Sequence, residues 1–206
     1  MKRQKKNRLI VCLTGMPGAG KSTVAQSLKE KGFSMVVMGN VIREEAKRRN
    51  LEPTDSNLGN LMLKLRKRLG SAAVAHLILR KIEREGINNN IVIDGIRSVS
   101  EVRLLEAIGR VKLLAIHAST NTRFRYIKER GRRDVPSNIH DFIARDKREL
   151  TVGISEAIAL ADETLSNNNL TVRQLKLKAF AIIQKWINEI NDSDDTVDKT
   201  LWSRNN

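Results

Sequence analysis

Leu9-Ile10-Val11-Cys12-Leu13-Thr14-Gly15-Met16-Pro17-Gly18-Ala19-Gly20-Lys21-Ser22-Thr23 decides how this chain is read. An apolar run with the length of a buried strand leads into G-x-x-x-x-G-K-S, and a helix-patterned segment follows over 22–31. Strand, glycine-rich loop and helix in that order make a phosphate-binding loop. Glycines let the backbone curl so that successive N–H groups face one anion. The helix that follows adds the positive end of its dipole. Lys21 is a mobile cation for terminal phosphates, and the Ser22 hydroxyl suits a magnesium ion. The expectation is a loop over Gly15, Met16, Pro17, Gly18, Ala19, Gly20, Lys21, Ser22 and Thr23 that binds a nucleoside triphosphate.

The rest of the chain suits that loop. A length of 206 residues fits one α/β domain with a sizeable core. Apolar runs alternate with amphipathic segments, which predicts a parallel sheet between layers of helices. Strands are expected at 8–14, 34–38, 91–94, 111–117 and 163–165. Helices are expected at 39–50, 57–69, 72–85, 101–108, 122–130, 139–150 and 170–190. Leu58, Leu61, Met62, Leu65 and Leu69 recur at helical spacing and make one apolar face. From residue 192 onward the chain is acidic, polar and unpatterned, and is read as a flexible tail over 192–206.

Composition narrows the classes of partner. Net charge is +15, from 38 Lys+Arg against 23 Asp+Glu, which favours anionic partners: nucleotides, RNA or acidic lipid. Aromatic residues are 3%, little material for a base-stacking platform. One cysteine, Cys12, excludes an internal disulfide and any multi-cysteine zinc site. No apolar run approaches a membrane span. The basic start, Met1 to Arg8, runs through a short apolar stretch straight into the loop, unlike a cleaved signal. The expected compartment is the cytoplasm.

Three further stretches carry chemistry. Ile91-Val92-Ile93-Asp94-Gly95-Ile96-Arg97 is an apolar strand that ends in a carboxylate. That places Asp94 at the carboxyl edge of the sheet, where open α/β folds bind ligands and a carboxylate can hold a magnesium-bound water. Arg97, three residues on, reaches the same crevice as a phosphate clamp. Gly39-Asn40-Val41-Ile42-Arg43 opens the helix after the second strand and aims Arg43 back toward the crevice. Arg123, Arg125, Arg130, Arg132 and Arg133, then Arg145 and Arg148, flank the short segment 131–138. Two helices joined there form a hairpin whose guanidiniums can spread over a transferring phosphoryl group.

Taken together, G-M-P-G-A-G-K-S, M-G-N-V-I-R, I-D-G-I-R and E-R-G-R-R-D with R-D-K-R-E-L resemble the adenylate-kinase and dephospho-CoA-kinase branch of P-loop kinases. With Glu156-Ala157-Ile158-Ala159-Leu160-Ala161-Asp162, the likeness is to the archaeal adenylate-kinase-related P-loop nucleotide kinase family, over residues 9 to about 190. The resemblance implies a three-layer α/β/α P-loop NTPase fold with a five-stranded parallel sheet, like that of nucleoside monophosphate kinases. It implies one kinase-like domain over 1–191, with an acceptor-binding helical region at about 39–86 and a short lid at about 119–150. It implies ATP on the loop 15–23, with Tyr126, Ser166 and Asn167 toward adenine. Gly39, Arg43, Arg97 and Arg145 fall on the acceptor side, and Arg130 and Arg132 on the transferring group. Lys21, Asp94, Arg130 and Arg132 are the expected catalytic residues; Ser22, with Asp94 through water, is the expected magnesium site.

Three positions depart from that family. Asn40 stands where relatives carry Asp, Tyr126 where many carry Arg, and the acidic pair after the lid arginines is reduced to Asp134 before Val135. The expected activity is transfer of the γ-phosphoryl of ATP to a nucleotide-like acceptor, AMP first. The alternatives are dephospho-CoA as acceptor, or an ATPase switch that binds RNA or a ribosomal particle.

Overall fold

The computed structural model describes residues 8–130 and 138–202, with side chains there except at 55, 130 and 193–202. Five strands run β1 Leu9–Thr14, β2 Ser34–Val37, β3 Ile91–Ile96, β4 Arg110–His117 and β5 Glu163–Ser166. Nine α-helices are described: α1 Lys21–Lys29, α2 Met38–Arg48, α3 Asp55–Leu69, α4 Ala73–Arg84, α5 Val99–Leu105, α6 Thr120–Arg130, α7 Ile139–Thr151, α8 Ile154–Ala159 and α9 Val172–Trp202. A short 3-10 turn, Glu106–Ile108, follows α5. The strands pair in parallel in the order β2-β3-β1-β4-β5.

Alternation along β1 divides the core into two. Ile10 and Cys12 point to one face and pack with α2, α3, α4 and α5 through Met38, Ile42, Leu61, Ile78 and Leu105. Leu9, Val11 and Leu13 point to the other and pack with α1 and α9 through Val24, Leu28, Ile183 and Trp186. All six residues of β1 are buried, because its neighbours pair on both edges and helices cover both faces. Cys12 is a core residue, its thiol pushed far up by burial. Arg8 is buried at the amino edge of the sheet, where Nε donates to the Ile108 carbonyl at 2.7 Å and Nη1 to that of Ile87 at 2.6 Å.

The elements differ from expectation at three places. β3 runs two residues past Asp94, to Ile96; the register with β1 slips there, so that Leu13 pairs with Asp94 and Thr14 with Ile96. Gly95, at φ +105, absorbs the slip. Helix α8 was not anticipated, since six residues give too short a periodic signal. The helix expected to end at 190 continues as α9 to Trp202, into the stretch read as an unpatterned tail. Extending a formed helix costs little per residue, so weak helix formers continue it.

Candidate active site

The phosphate loop lies where β1 leaves the sheet. Gly15, Gly18 and Gly20 have φ of +135, +84 and +110, a region side chains disfavour. Close packing excludes a Cβ as well. One on Gly15 would collide with the Ile116 carbonyl oxygen, one on Gly18 would lie 2.7 Å from that of Arg123, and one on Gly20 2.6 Å from Asn167 Nδ2. No side chain caps α1 among the described residues, so its amino end faces whatever anion the loop holds. Lys21 opens that helix and folds back over the loop. Its Nζ donates to the Gly15 carbonyl at 2.5 Å and the Met16 carbonyl at 3.1 Å. Burial lowers its pKa to about 8, against a partial upward pull from Asp94.

Asp94 is brought to the loop by β1–β3 pairing. It is 6% exposed, and Ser22 Oγ donates to its Oδ2 at 2.9 Å. A hydroxyl beside a buried carboxylate is a hard-oxygen donor pair that fits magnesium once phosphate oxygens complete the shell. No cluster of three or more His, Cys, Asp or Glu offers a metal cage among the described residues.

Arg97 leaves β3 on the same edge, and it is already engaged. Its Nε donates to Glu149 Oε2 at 2.5 Å and its Nη2 to Oε1 at 3.1 Å. Burial opposes ionisation of Glu149, but Arg97 outweighs it and holds the carboxyl below the usual range; Lys21 and Arg145 act in the same direction. The turn after Arg97 is fixed by Glu101, which is fully buried. Glu101 Oε2 accepts the Arg97 and Ser98 N–H groups at 2.8 and 3.2 Å, and Oε1 accepts Arg66 Nη2 of α3 at 2.5 Å. Neither Glu101 nor Glu149 was singled out from sequence. Ser98-Val99-Ser100-Glu101 is a readable capping box, and both of its bonds form.

Arg43 is exposed and donates through Nη1 to Asn40 Oδ1 at 2.6 Å, one turn back on α2 beside Gly39. Asn40 therefore positions Arg43. On the opposite side of the loop, Tyr126 Oη lies 3.5 Å from the Asn167 carbonyl, while the Asn167 amide donates to the Ala19 carbonyl at 2.9 Å. Asn167 is 3% exposed, so its side chain braces the loop instead of projecting into open space. Arg123 forms a second brace: it grips Asp146 of α7 with both Nη atoms, at 2.9 and 2.5 Å, and donates to the Pro17 carbonyl at 3.0 Å. A cavity of about 270 Å³ opens beside it between Met16, residues 116–120 and Ile158. Arg130 ends α6 but its side chain is outside the described residues, as are all of Arg132 and the segment 131–137.

A family model described as an AAA domain matches residues 14–143, from the end of β1 into α7. A UPF0200 protein of Hyperthermus butylicus is 38% identical over 179 residues, 87% of this chain and 95% of that protein. Another, of Methanocaldococcus jannaschii, is 44% identical over 160 residues, 77% of this chain and 81% of that one. The chain belongs to the UPF0200 family, and residues 14–143 to the AAA domain family. The shikimate kinase of Bacteroides thetaiotaomicron superposes with a TM-score of 0.53 at 14% identity, over 87% of this chain and 98% of that one. That likeness is one of fold. This UPF0200 protein has a P-loop kinase-like α/β/α architecture. Among the described residues no helix is long and apolar enough to cross a membrane.

Proposed function

We propose that this UPF0200 protein is an ATP-dependent phosphotransferase whose acceptor is a nucleotide-like anion, AMP first. The observation that carries the reading is the gathering of Lys21, Ser22 and Asp94 at one loop–strand junction, with Arg97 at the exit of the same strand. ATP is the donor, held by the amides of residues 15–23 and by Lys21, with Tyr126 and Asn167 on its adenine side. Ser22, with Asp94 through water, would hold magnesium, which when bound neutralises phosphate charge. Arg43, beside Gly39, receives the acceptor together with Arg97 and Arg145. Arg130 and Arg132 neutralise the charge that spreads over the transferring group.

In the transfer, the bond from the γ-phosphorus to the ADP oxygen breaks and one to an acceptor oxygen forms. A phosphate oxygen arrives ionised, so no strong base is required. A hydroxyl acceptor, as in dephospho-CoA, needs one, and Asp94 is the candidate. The reaction belongs in the cytoplasm, where the donor is abundant.

The test is a panel of AMP, CMP, UMP, GMP and dephospho-CoA with ATP and magnesium, read as a new phosphorylated product. Product from AMP is expected; product from none of the five overturns the reading. Arg97→Ala should weaken acceptor binding at least tenfold more than ATP binding by calorimetry. Equal weakening of both would place Arg97 on the wrong side of the crevice. The +15 charge supports a second reading, an ATP-switched RNA-binding protein. A steep fall in RNA affinity with salt, together with an empty acceptor panel, would favour it.

A further inference from the structure

Glu149 has no part in the reaction above, yet its surroundings are those of an anion site. It sits in the last turn of α7, where the negative end of the helix dipole disfavours a carboxylate. Its side chain is only 12% exposed. Arg97 holds it there, with a planar guanidinium fork meeting a planar carboxylate. Lys21 and Arg145 add their charges from nearby. Glu101, the other carboxylate at this turn, takes only the Arg97 backbone N–H, because its oxygens are committed to Ser98 and Arg66 as well. Among the described residues, Glu149 takes the Nε and Nη2 of Arg97, while Nη1 donates to the Gly95 carbonyl at 3.5 Å.

We propose that Glu149 is a built-in stand-in for the second substrate's anion: it fills the Arg97 fork in the free protein and yields it to an incoming phosphate group. The inference rests on the acceptor role assigned to Arg97. A phosphate dianion brings more charge and more oxygens to the fork than the carboxylate it replaces. A carboxylate ligand gains nothing by exchanging with another carboxylate. The internal anion thus excludes carboxylate metabolites, and it taxes phosphate binding by the cost of its own displacement.

Exchange is also felt at the loop. Glu149 and Asp146 lie on the same helix, and Asp146 is tied through Arg123 to the Pro17 carbonyl. Release of Glu149 frees the carboxyl end of α7, while its middle stays anchored beside the nucleotide loop.

Binding of inorganic phosphate, measured by calorimetry in a Lys21→Ala background that weakens phosphate at the loop, tests the proposal. Glu149→Gln should bind phosphate about tenfold more tightly than the Lys21→Ala parent. Unchanged or weaker binding would overturn the proposal and leave Glu149 as a residue that only orients Arg97. Glu149→Asp keeps the charge and should bind no more than about twofold tighter; a gain as large as that of Gln would also overturn it. Should Glu149→Gln fold poorly, hydrogen exchange in the otherwise unaltered chain supplies the readout. Saturating phosphate should speed exchange over residues 145–151 at least threefold, and no change there would count against the proposal. The two readings fail separately. An empty acceptor panel beside tighter phosphate binding by Glu149→Gln removes the kinase and keeps the exchange. AMP phosphorylation beside phosphate affinity indifferent to Glu149 does the reverse.

Discussion

Burial of the Lys21 ammonium sets the free protein against its loaded form. The folded chain binds that proton less tightly than the unfolded chain does: the pKa is about 8 against an ordinary 10.5. Between those values the unfolded state carries more protons, so this residue makes stability rise as pH climbs from about 8 to 10.5. Below about 8 its cost is complete. Lys21→Met should therefore stabilise the ligand-free protein at neutral pH, by about 1–3 kcal/mol, while ATP no longer raises its Tm. Cys12 works in the opposite direction above its ordinary range, since its buried thiol keeps a proton that the unfolded chain releases. The difference between the unfolding curves of wild type and Lys21→Met cancels Cys12 and isolates the lysine. An unstabilised Lys21→Met at neutral pH would show that the ammonium is solvated in the fold. Gly15→Ala tests the loop backbone. With φ at +135 and the Ile116 carbonyl in the way, it should cost more than about 2 kcal/mol in urea unfolding.

Three arginine–carboxylate pairs join elements that are distant in the chain, the second and third of them through two hydrogen bonds each. Arg66 of α3 meets Glu101 of α5, Arg97 beyond β3 meets Glu149 of α7, and Arg123 of α6 meets Asp146 of α7. Removal of one partner from such a pair leaves the other charge buried. Glu101→Gln should cost about 3–5 kcal/mol in urea unfolding, with an unchanged m value. A cost under about 1 kcal/mol would mean that Arg66 finds another partner. These pairs explain what sequence reading reached and what it did not. From sequence Arg97 reads as a phosphate clamp, because a lone arginine after a strand gives no sign of its partner. Glu149, fifty-two residues on, carried one clue: a carboxylate at the carboxyl end of a helix runs against the dipole unless something else holds it. The loop glycines, Lys21 and Ser22 were legible because their spacing alone brings them together. The place of Asp94 near the loop was legible because an apolar strand that ends in a carboxylate sets it at the carboxyl edge of the sheet, but the strand order is what puts β3 beside β1 and Asp94 on Ser22.

The sheet couples the two cores across a single layer. Val92 of β3 and Leu114 of β4 face α1 and α9, while Ile93 and Leu113 beside them face the helices of the other side. A domain built this way should unfold in one step. Trp186 is 2% exposed in one core. In a Trp202→Phe variant its fluorescence should share a urea midpoint with far-ultraviolet circular dichroism, which sums all the helices. Separate midpoints would show that the helices of the acceptor side unfold independently. The alternation of apolar runs and amphipathic segments, and one loop motif, were enough to determine a parallel α/β fold with a phosphate site at the end of β1. Both are local signals: periodicity is written within a segment, and the loop needs only neighbours. Which carboxylate meets which arginine, and that Asn167 braces the loop, were decided by tertiary structure. Those pairings depend on where separate helices come to rest on the sheet, and a long-range charge pair forms wherever packing brings two side chains together out of water.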